Sequence, residues 1–373
     1  MQMLDTIPEA IEAVRNGEVI IVVDDEDREN EGDFLVAARH ATPEVVNFMA
    51  THGRGLICAP LVEDRCDELD LPLMVQSNNA AYETPFTVSV DLIGHGCTTG
   101  ISAQDRSKTI QALINSNTRP EELGKPGHIF PLRARKGGVL RRAGHTEAAI
   151  DFARLAGFEP AGVIVEIMNE DGTMARLPEC RELADKFNLK LVSIADLIEH
   201  RLQNETLIER VKEMEIQTAF GPFTAVVFRQ SSNEVEHVAL VKGTWEENDE
   251  VPVRVHSTSM LGDVFQITDF GKGPMLHAAM KKMDDIGCGV LVYLNKLRQG
   301  GGILDELTAY KRIQESDQSA PARMDTKDYG IGAQIIRQLG VRNCHVLTNT
   351  KRTLGPIGYG LTITKTSGLD LPK

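Results

Sequence analysis

Helical and strand patterns alternate from the first residues of the chain. Thr6 and Glu9 are spaced as a capping box and open an apolar stripe at helical spacing that ends at Gly17. Residues 19–23 are all β-branched, which predicts a buried strand. The alternation continues with a helix at 43–53, a strand at 55–58, a strand at 163–167, a helix at 178–187 and a strand at 190–194. This pattern predicts a layered α+β or α/β domain of sheet and helices.

The pattern changes in character after about residue 205. Residues from Ile194 to about Ile216 predict one continuous polar helix. A hairpin of strands at 218–228 and 237–242 follows, and then strands at 251–256, 290–294 and 344–347 alternate with helices at 274–286 and 329–339. We therefore predict two domains, 1–205 and 206–373, of which the second is also α/β.

Charge and composition argue against two classes of protein, nucleic-acid binders and membrane proteins. The 373 residues carry a net charge of −14, which argues against a nucleic-acid binder because phosphate contacts need clustered Lys and Arg. No apolar run approaches the roughly 18 residues that a membrane helix needs, so we expect no membrane partner. Six cysteines without a Cys-x-x-Cys spacing are typical of reduced thiols, and we expect a cytoplasmic protein.

A run of acidic residues directly follows the first predicted strand. Residues 24–33 contain seven carboxylates and the single arginine Arg28. Most charge runs are solvated loops, and that interpretation stays open. However, α/β proteins place ligands just outside the ends of buried strands, and so many like charges on one turn repel strongly without a cation. Mg²⁺ prefers carboxylate oxygen and needs only one or two protein ligands, so the run is a candidate metal site.

A second cluster, residues 141–146, opens a helical pattern. Arginines, a glycine and Thr146 at a helix start suit a phosphate, because backbone amides and the helix dipole point at the anion and Arg adds paired donors. A plain helix cap is the alternative, and His145 could be a ligand or part of that cap. Glu166 lies within an apolar strand pattern, where burial requires a partner unless it faces solvent on an edge strand. Taken singly, His128 and Cys58 would more often be structural.

Together these residues resemble 3,4-dihydroxy-2-butanone 4-phosphate synthase over about residues 5–204. The segments that carry the resemblance are DDEDRENEGD at 24–33, GRGLIC at 53–58, FTVSVD at 86–91, TTGISAQDR at 98–106, PGHIFPLR at 126–133, GHTE at 144–147 and NEDGTMAR at 169–176. The resemblance implies conversion of D-ribulose 5-phosphate to L-3,4-dihydroxy-2-butanone 4-phosphate and formate in riboflavin biosynthesis. It also implies a homodimer with sites near the subunit interface.

The resemblance further implies roles for individual residues. It puts the ligands of a Mg²⁺ or Mn²⁺ ion, which would stabilise an enediolate, at Glu29 and His145. The implied catalytic residues are His128, Glu166, Asp33, Glu31 and Cys58, of which the thiol lies near the site but need not react. The implied substrate-binding residues are Arg28, Glu29, Asp33, Arg142, Ala143, Gly144, His145, Thr146 and Glu166. Ala143 stands where glycine is expected beside the phosphate, which is tolerable if its φ is negative.

Residues of about 218–363 resemble GTP cyclohydrolase II more loosely. The active family binds zinc with three cysteines, but the first position here is Ser259 and residues 267–273 contain no cysteine. The substrate loop of the active family, Gln-Glu-Gly-Arg, appears here as RQGGG at 298–302 and has lost its acidic residue. Lys327 stands where the active family has a nucleophilic arginine. We therefore expect a degenerate domain without zinc or cyclohydrolase activity. The alternatives are a bifunctional enzyme, or a second domain that senses a nucleotide or fixes the assembly.

Overall fold

Two mixed sheets, each covered by helices, organise the chain. The computed structural model describes residues 4–26, 28–80, 82, 84–231, 233–267, 272–295, 303–315, 326–349 and 360–371. The chain divides into two compact units, Met1–Arg201 and Leu202–Lys373. The mixed α/β class agrees with the prediction. Within the described segments, every helix is too short or too polar to span a bilayer.

The sheet of the first unit has the order β4-β5-β3-β6-β2-β1-β7 in its described residues. Its strands are β1 (Ile20–Val23), β2 (Gly32–Ala37), β3 (Cys58–Val62), β4 (Val90–Leu92), β5 (Leu123–Ala134), β6 (Gly162–Glu166) and β7 (Leu191–Ser193). The helices are α1 (Ile7–Arg15), α2 (Pro43–Gly53), α3 (Glu63–Glu68), α4 (Ala103–Ile114), α5 (His145–Leu155), α6 (Leu177–Phe187) and α7 (Ile194–Asn204), which crosses the division between the units.

The acidic run is the loop of a buried hairpin. β1 and β2 pair antiparallel with Val23 opposite Gly32, so residues 24–31 connect them. Every residue of both strands is buried, because the sheet is covered on its two faces. The pairing of β2 with β6 then sets Asp33 directly opposite Glu166. Sheet register therefore places two carboxylates side by side at the base of the acidic loop.

The sheet of the second unit has the order β14-β13-β11-β12-β10-β9-β8 among described residues. Its strands are β8 (Ile208–Thr218), β9 (Gly221–Gln230), β10 (Glu236–Lys242), β11 (Glu250–Ser257), β12 (Gly289–Leu294), β13 (Asn343–Leu347) and β14 (Thr362–Ser367). Its helices are α8 (Lys272–Ile286), α9 (Ile303–Glu315) and α10 (Thr326–Gln338), with a π-helical turn at Met260–Val264.

The prediction of one helix from Ile194 to Ile216 is wrong in its second half. α7 ends at Asn204, and residues 208–218 form β8, which pairs antiparallel with β9 along its whole length. Glu, Lys, Arg and Met favour helices, and most side chains of β8 are exposed, so no apolar alternation marked the strand. Pairing at the edge of a sheet overrides this weak local preference.

We expect the second unit to lose stability below pH 6.5 through His237. Burial lowers the pKa of His237 from 6.5 to about 4, and its Nδ1 accepts a hydrogen bond from the backbone N–H of Asn295 at 3.1 Å, which requires the neutral ring. Because the unfolded chain takes up this proton at higher pH than the folded chain, stability is complete above pH 6.5 and falls by on the order of 2–3 kcal/mol towards pH 4.

Thermal melts of the wild type and of His237→Gln between pH 7.5 and 4.5 measure this contribution. The melting temperature of the variant should be lower at pH 7.5 but should depend less on pH. Equal pH slopes for the two proteins would show that His237 does not titrate in this way.

Candidate active site

Asp24 organises the acidic loop between β1 and β2. Its Oδ2 accepts hydrogen bonds from Arg28 Nη1 at 2.7 Å and from the backbone N–H of Glu29 at 3.1 Å, and its Oδ1 accepts from the backbone N–H of Glu31 at 2.9 Å. Arg176, the N-cap residue of α6, donates from its Nη1 to the carbonyl oxygen of Glu29 at 2.9 Å. Neither Asp24 nor Arg176 has a separate predicted role, because hydrogen bonds to a loop backbone leave no local pattern in the sequence.

Four of the expected site residues lie together at the base of this loop. His145, the first residue of α5, is 5% exposed, and its Nδ1 lies 3.8 Å from Glu29 Oε2 and 3.9 Å from Asp33 Oδ2. Its Nε2 lies 3.1 Å from the carbonyl oxygen of Val22 and donates to it. Glu166 is the cross-strand neighbour of Asp33. A buried imidazole thus faces carboxylates of the acidic loop and of β2, and a third carboxylate, on β6, lies next to Asp33.

This crowding shifts the pKa of each member. Burial alone would lower the pKa of His145, but the neighbouring carboxylates, Asp33 foremost, raise it to about 9. Burial raises the pKa of Asp33 to about 7 against the opposing effect of the imidazole, and burial with the charge of Glu29 raises the pKa of Glu31. Burial would raise the pKa of Glu29, but His145 and nearby arginines lower it. Carboxyl groups with different proton affinities therefore share one site, as acid–base chemistry requires.

The same residues could hold a divalent cation. Asp24, Glu29 and His145 each offer one ligand atom, and these atoms all lie within 4.8 Å of one another. Because Mg²⁺ contacts its ligands at about 2.1 Å in octahedral geometry, two of its ligand atoms lie roughly 3.0 Å apart when adjacent and roughly 4.2 Å apart when opposite. The 3.8 Å between Glu29 Oε2 and His145 Nδ1 lies between these two separations, so a small shift of either side chain would let both atoms contact one ion. Since Asp24 already accepts three hydrogen bonds, Glu29 and His145 are the better pair.

The start of α5 offers donors for an anion. A Cβ added to Gly144 would lie 2.5 Å from Nη1 of Arg142 and 3.1 Å from Nη2 of Arg28, so glycine lets both guanidinium groups approach the helix start. Thr146 is buried in the first turn. The φ angle of Ala143 is not positive, so its side chain causes no backbone strain. Backbone amides at the helix start and two nearby arginines can bind a phosphate.

Glu166 and Cys58 line the same end of the sheet. β6 lies between β3 and β2, so Glu166 is not on an edge strand, and its Oε2 accepts a hydrogen bond from the backbone N–H of Leu56 at 2.8 Å. Burial, with the charges of Glu166 and Asp33, raises the pKa of the Cys58 thiol well above its ordinary value. A thiol that stays protonated is a poor nucleophile, and the prediction for Cys58 is a residue that lies near the site but need not react.

His128 has different partners. Its Nδ1 lies 2.7 Å from Asp91 Oδ2, its backbone N–H donates to Asp91 Oδ1 at 2.9 Å, and its side chain is 44% exposed. Within the described part of the first unit, these hydrogen bonds run to Asp91 and not to the carboxylates around His145. An exposed imidazole fixed by a carboxylate remains available to a substrate or to another subunit.

Polar residues also meet in the second unit, near Ser259. The Ser259 hydroxyl accepts a hydrogen bond from the backbone N–H of Gly262 at 3.1 Å and so caps the π-helical turn. His256 Nε2 lies 2.8 Å from Asp263 Oδ1, and the Tyr293 hydroxyl donates to Asp263 Oδ2 at 2.9 Å. Of the positions compared with the active cyclohydrolase family, residues 268–271 and 298–302 and the side chain of residue 327 lie outside the described residues.

Family models match both halves of the chain. Residues 8–200 match the model of 3,4-dihydroxy-2-butanone 4-phosphate synthase, and residues 209–367 match the model of GTP cyclohydrolase II. The riboflavin biosynthesis protein RibBA of Cytophaga hutchinsonii is 56% identical over 99% of this chain and 93% of its own. RibBA of Bacillus subtilis is 52% identical over 97% of this chain and 93% of its own. These matches lend no support to an inactive second domain.

Solved structures extend the likeness to three dimensions. A crystal structure of RibBX, a two domain 3,4-dihydroxy-2-butanone 4-phosphate synthase from A. baumannii, is 38% identical, covers 99% of this chain and 100% of its own, and superposes with a TM-score of 0.77. A structure of 3,4-dihydroxy-2-butanone 4-phosphate synthase in complex with two magnesium ions is 43% identical over 54% of this chain and 98% of its own, with a TM-score of 0.52. The chain therefore belongs to the 3,4-dihydroxy-2-butanone 4-phosphate synthase family, enzymes of riboflavin biosynthesis, and a GTP cyclohydrolase II-type domain follows its synthase domain in the sequence.

Proposed function

We propose that the first unit converts D-ribulose 5-phosphate to L-3,4-dihydroxy-2-butanone 4-phosphate and formate, with Mg²⁺ or Mn²⁺ held by Glu29 and His145. The observation that carries the proposal is the convergence of Glu29 and Asp33 on the buried imidazole of His145, with Glu166 directly opposite Asp33 in the sheet. When bound, the metal ion supplies Lewis-acid stabilisation of the negative oxygen that forms as a proton leaves the carbon beside the ketone.

The protein's own side chains bind and orient the sugar phosphate. Arg142, Gly144 and Thr146, with the backbone at Ala143, bind the phosphate at the start of α5, where the helix dipole favours an anion. Arg28 donates to the oxygen atoms of the substrate. This arrangement sets the reacting carbons towards the carboxylates at the ends of β2 and β6.

Asp33, Glu31 and Glu166 exchange protons with the bound sugar, and His128 is the fourth candidate. Asp33 is the best placed of these, since it is 3% exposed, faces His145 and adjoins Glu166. A buried carboxylate beside a polarised carbonyl can remove and return a proton without competition from water. The backbone N–H of Leu56 donates a hydrogen bond to the carboxylate of Glu166, and Gly55 leaves room for that carboxylate beside the backbone.

Asp33→Asn tests this assignment. The variant keeps the size of the side chain but removes the base, so we expect turnover of ribulose 5-phosphate to fall by about a hundredfold to ten-thousandfold. Formate release is the measurement, and Asp64→Asn, the same change at an exposed position of α3, is the matched control. Normal turnover by Asp33→Asn would remove Asp33 from the reaction.

For the second unit we propose a domain without zinc and without cyclohydrolase activity, beginning near residue 206. Support comes from the chemistry of Ser259, whose hydroxyl stays protonated at neutral pH and here accepts the hydrogen bond that caps a π-helical turn. His256, which could replace a lost ligand, is paired with Asp263. Cys288 and Cys344 are the remaining cysteines of this half, too few for a three-thiolate site.

One observation favours a binding role for this second unit. The guanidinium Nε of Arg254 and the hydroxyl of Ser257 are buried and have no hydrogen-bond partner among the described residues. Buried polar groups without partners are costly, and a bound ligand would satisfy them. A nucleotide-binding or assembly module is therefore the second candidate. We also propose that the protein is a homodimer. Its six free thiols favour a cytoplasmic location.

A further inference from the structure

Two arginines from distant parts of the sequence converge at the start of α5. Arg28 comes from the acidic loop and Arg142 from the segment before α5, yet Nη2 of Arg28 and Nη1 of Arg142 would lie 3.1 Å and 2.5 Å from a Cβ on Gly144. Two like charges this close repel each other and do not hold this arrangement by themselves. Other groups must therefore fix the positions of both guanidinium groups.

Neighbouring carboxylates bind the guanidinium group of each arginine. Arg28 forms ion pairs with Asp24 at 2.7 Å and with Glu29 at 3.0 Å. Arg142 Nη1 donates to Oε2 of Glu147 at 2.8 Å, and the Glu147 side chain is fully buried. These contacts orient each guanidinium group separately but do not connect the two arginines.

Tyr82 makes that connection. Its hydroxyl donates to the carbonyl oxygen of Arg28 at 2.7 Å, and the guanidinium carbon of Arg28 lies 5.5 Å from the centre of its ring. Its carbonyl oxygen accepts a hydrogen bond from Nη2 of Arg142 at 2.9 Å. One residue therefore contacts the backbone and the side-chain charge of Arg28 and also the side-chain charge of Arg142. Tyr82 as a whole is 46% exposed, so these contacts and not core packing hold it in place.

We propose that Tyr82 is a positioning residue. It fixes Arg28 and Arg142 relative to each other, so that both guanidinium groups can bind the anionic group of the substrate together. The inference rests on the proposed function, which assigns both arginines to substrate binding. Tyr82 acts through the arginines and not on the reacting atoms. Its loss should therefore weaken binding of the phosphate ester and change the chemical step little.

Two substitutions separate the contributions of Tyr82. Tyr82→Phe removes the hydrogen bond to Arg28 and keeps the ring, so we expect KM for ribulose 5-phosphate to rise about threefold. Tyr82→Ala also removes the cation–π contact and leaves the loop backbone unanchored, so KM should rise about tenfold or more. In both variants kcat should stay within about twofold of the wild type. Val75→Ala, an exposed position in the same loop segment, is the matched control and should leave KM unchanged.

A second readout is independent of turnover. Inorganic phosphate, measured by calorimetry on the full chain, should bind Tyr82→Ala about tenfold more weakly than it binds the wild type and Val75→Ala. The graded order of wild type, Tyr82→Phe and Tyr82→Ala in both readouts supports the proposal. An unchanged KM in Tyr82→Ala, a fall in kcat alone, or an equal effect of Val75→Ala would overturn it. If the wild type does not turn over ribulose 5-phosphate, the proposed function fails, and the phosphate measurement still decides the role of Tyr82.

Discussion

Replacing Glu29 with glutamine is expected to lower formate release from ribulose 5-phosphate by at least about a thousandfold while leaving the fold intact. Glutamine keeps the size of the side chain but is a weaker ligand than a carboxylate for Mg²⁺. Glu29 and His145 are the two protein ligands that we assign, so the loss of either should release the ion. The Glu29 side chain is partly exposed, and the change should cost little stability.

His145→Ala provides an independent second variant with the same expected loss. Because His145 is buried against Asp33, this change can also lower the melting temperature, and thermal melts must accompany the assay. Glu26→Gln is the matched control, since it changes an exposed carboxylate of the same loop. Normal turnover by Glu29→Gln with a normal melting temperature would show that the metal is held elsewhere or is not required.

The full-length protein is expected neither to retain stoichiometric zinc in its second unit nor to open the imidazole ring of GTP. Ring opening needs a zinc-bound water whose pKa is lowered towards neutrality, and three thiolates must converge to hold that ion. Ser259 provides a hydroxyl that is already engaged as a cap. Lys327 adds a separate defect in the sequence, because an ammonium group cannot reproduce the planar paired donors of arginine.

Elemental analysis after dialysis, combined with an assay of GTP for formate and the diaminopyrimidine product, measures both properties on one sample. An active cyclohydrolase from a related organism serves as the positive control for the assay. One zinc ion per chain together with clear GTP turnover would contradict the account and make the protein bifunctional. Zinc-free protein that binds a nucleotide in calorimetry would favour the sensing role.

Local sequence patterns were sufficient to predict the helices and strands that bury apolar residues, and to predict the acidic loop. The β-branched run before the loop and the capping box at Thr6 are signals within a few residues of the structure they predict, and α1 begins with that box. The site itself depends on long-range pairing. Asp33 meets Glu166 only because β2 pairs with β6, which no spacing in the sequence reveals.

The residues that support the site were harder to find for the same reason. Asp24, Arg176 and Tyr82 act through hydrogen bonds to backbone groups, and two of the three act across many residues of sequence. Such contacts depend on where the fold brings the chain and not on a local pattern. Tyr82 does offer one signal, since a lone aromatic residue in a polar loop is available for a cation–π contact with arginine. The strand β8 was missed because its exposed, helix-favouring side chains carry no alternation.

We propose that a metal ion held by Glu29 and His145 makes the first unit a synthase. Metal content and turnover of ribulose 5-phosphate, measured on the same purified full-length sample before and after chelation, test it most directly. We predict that formate and the four-carbon phosphate appear together in equal amounts, that EDTA stops both, and that added Mg²⁺ restores both. Full turnover in metal-depleted protein would show that the reaction needs no metal ion, and no turnover with Mg²⁺ present would show that the first unit is not a synthase.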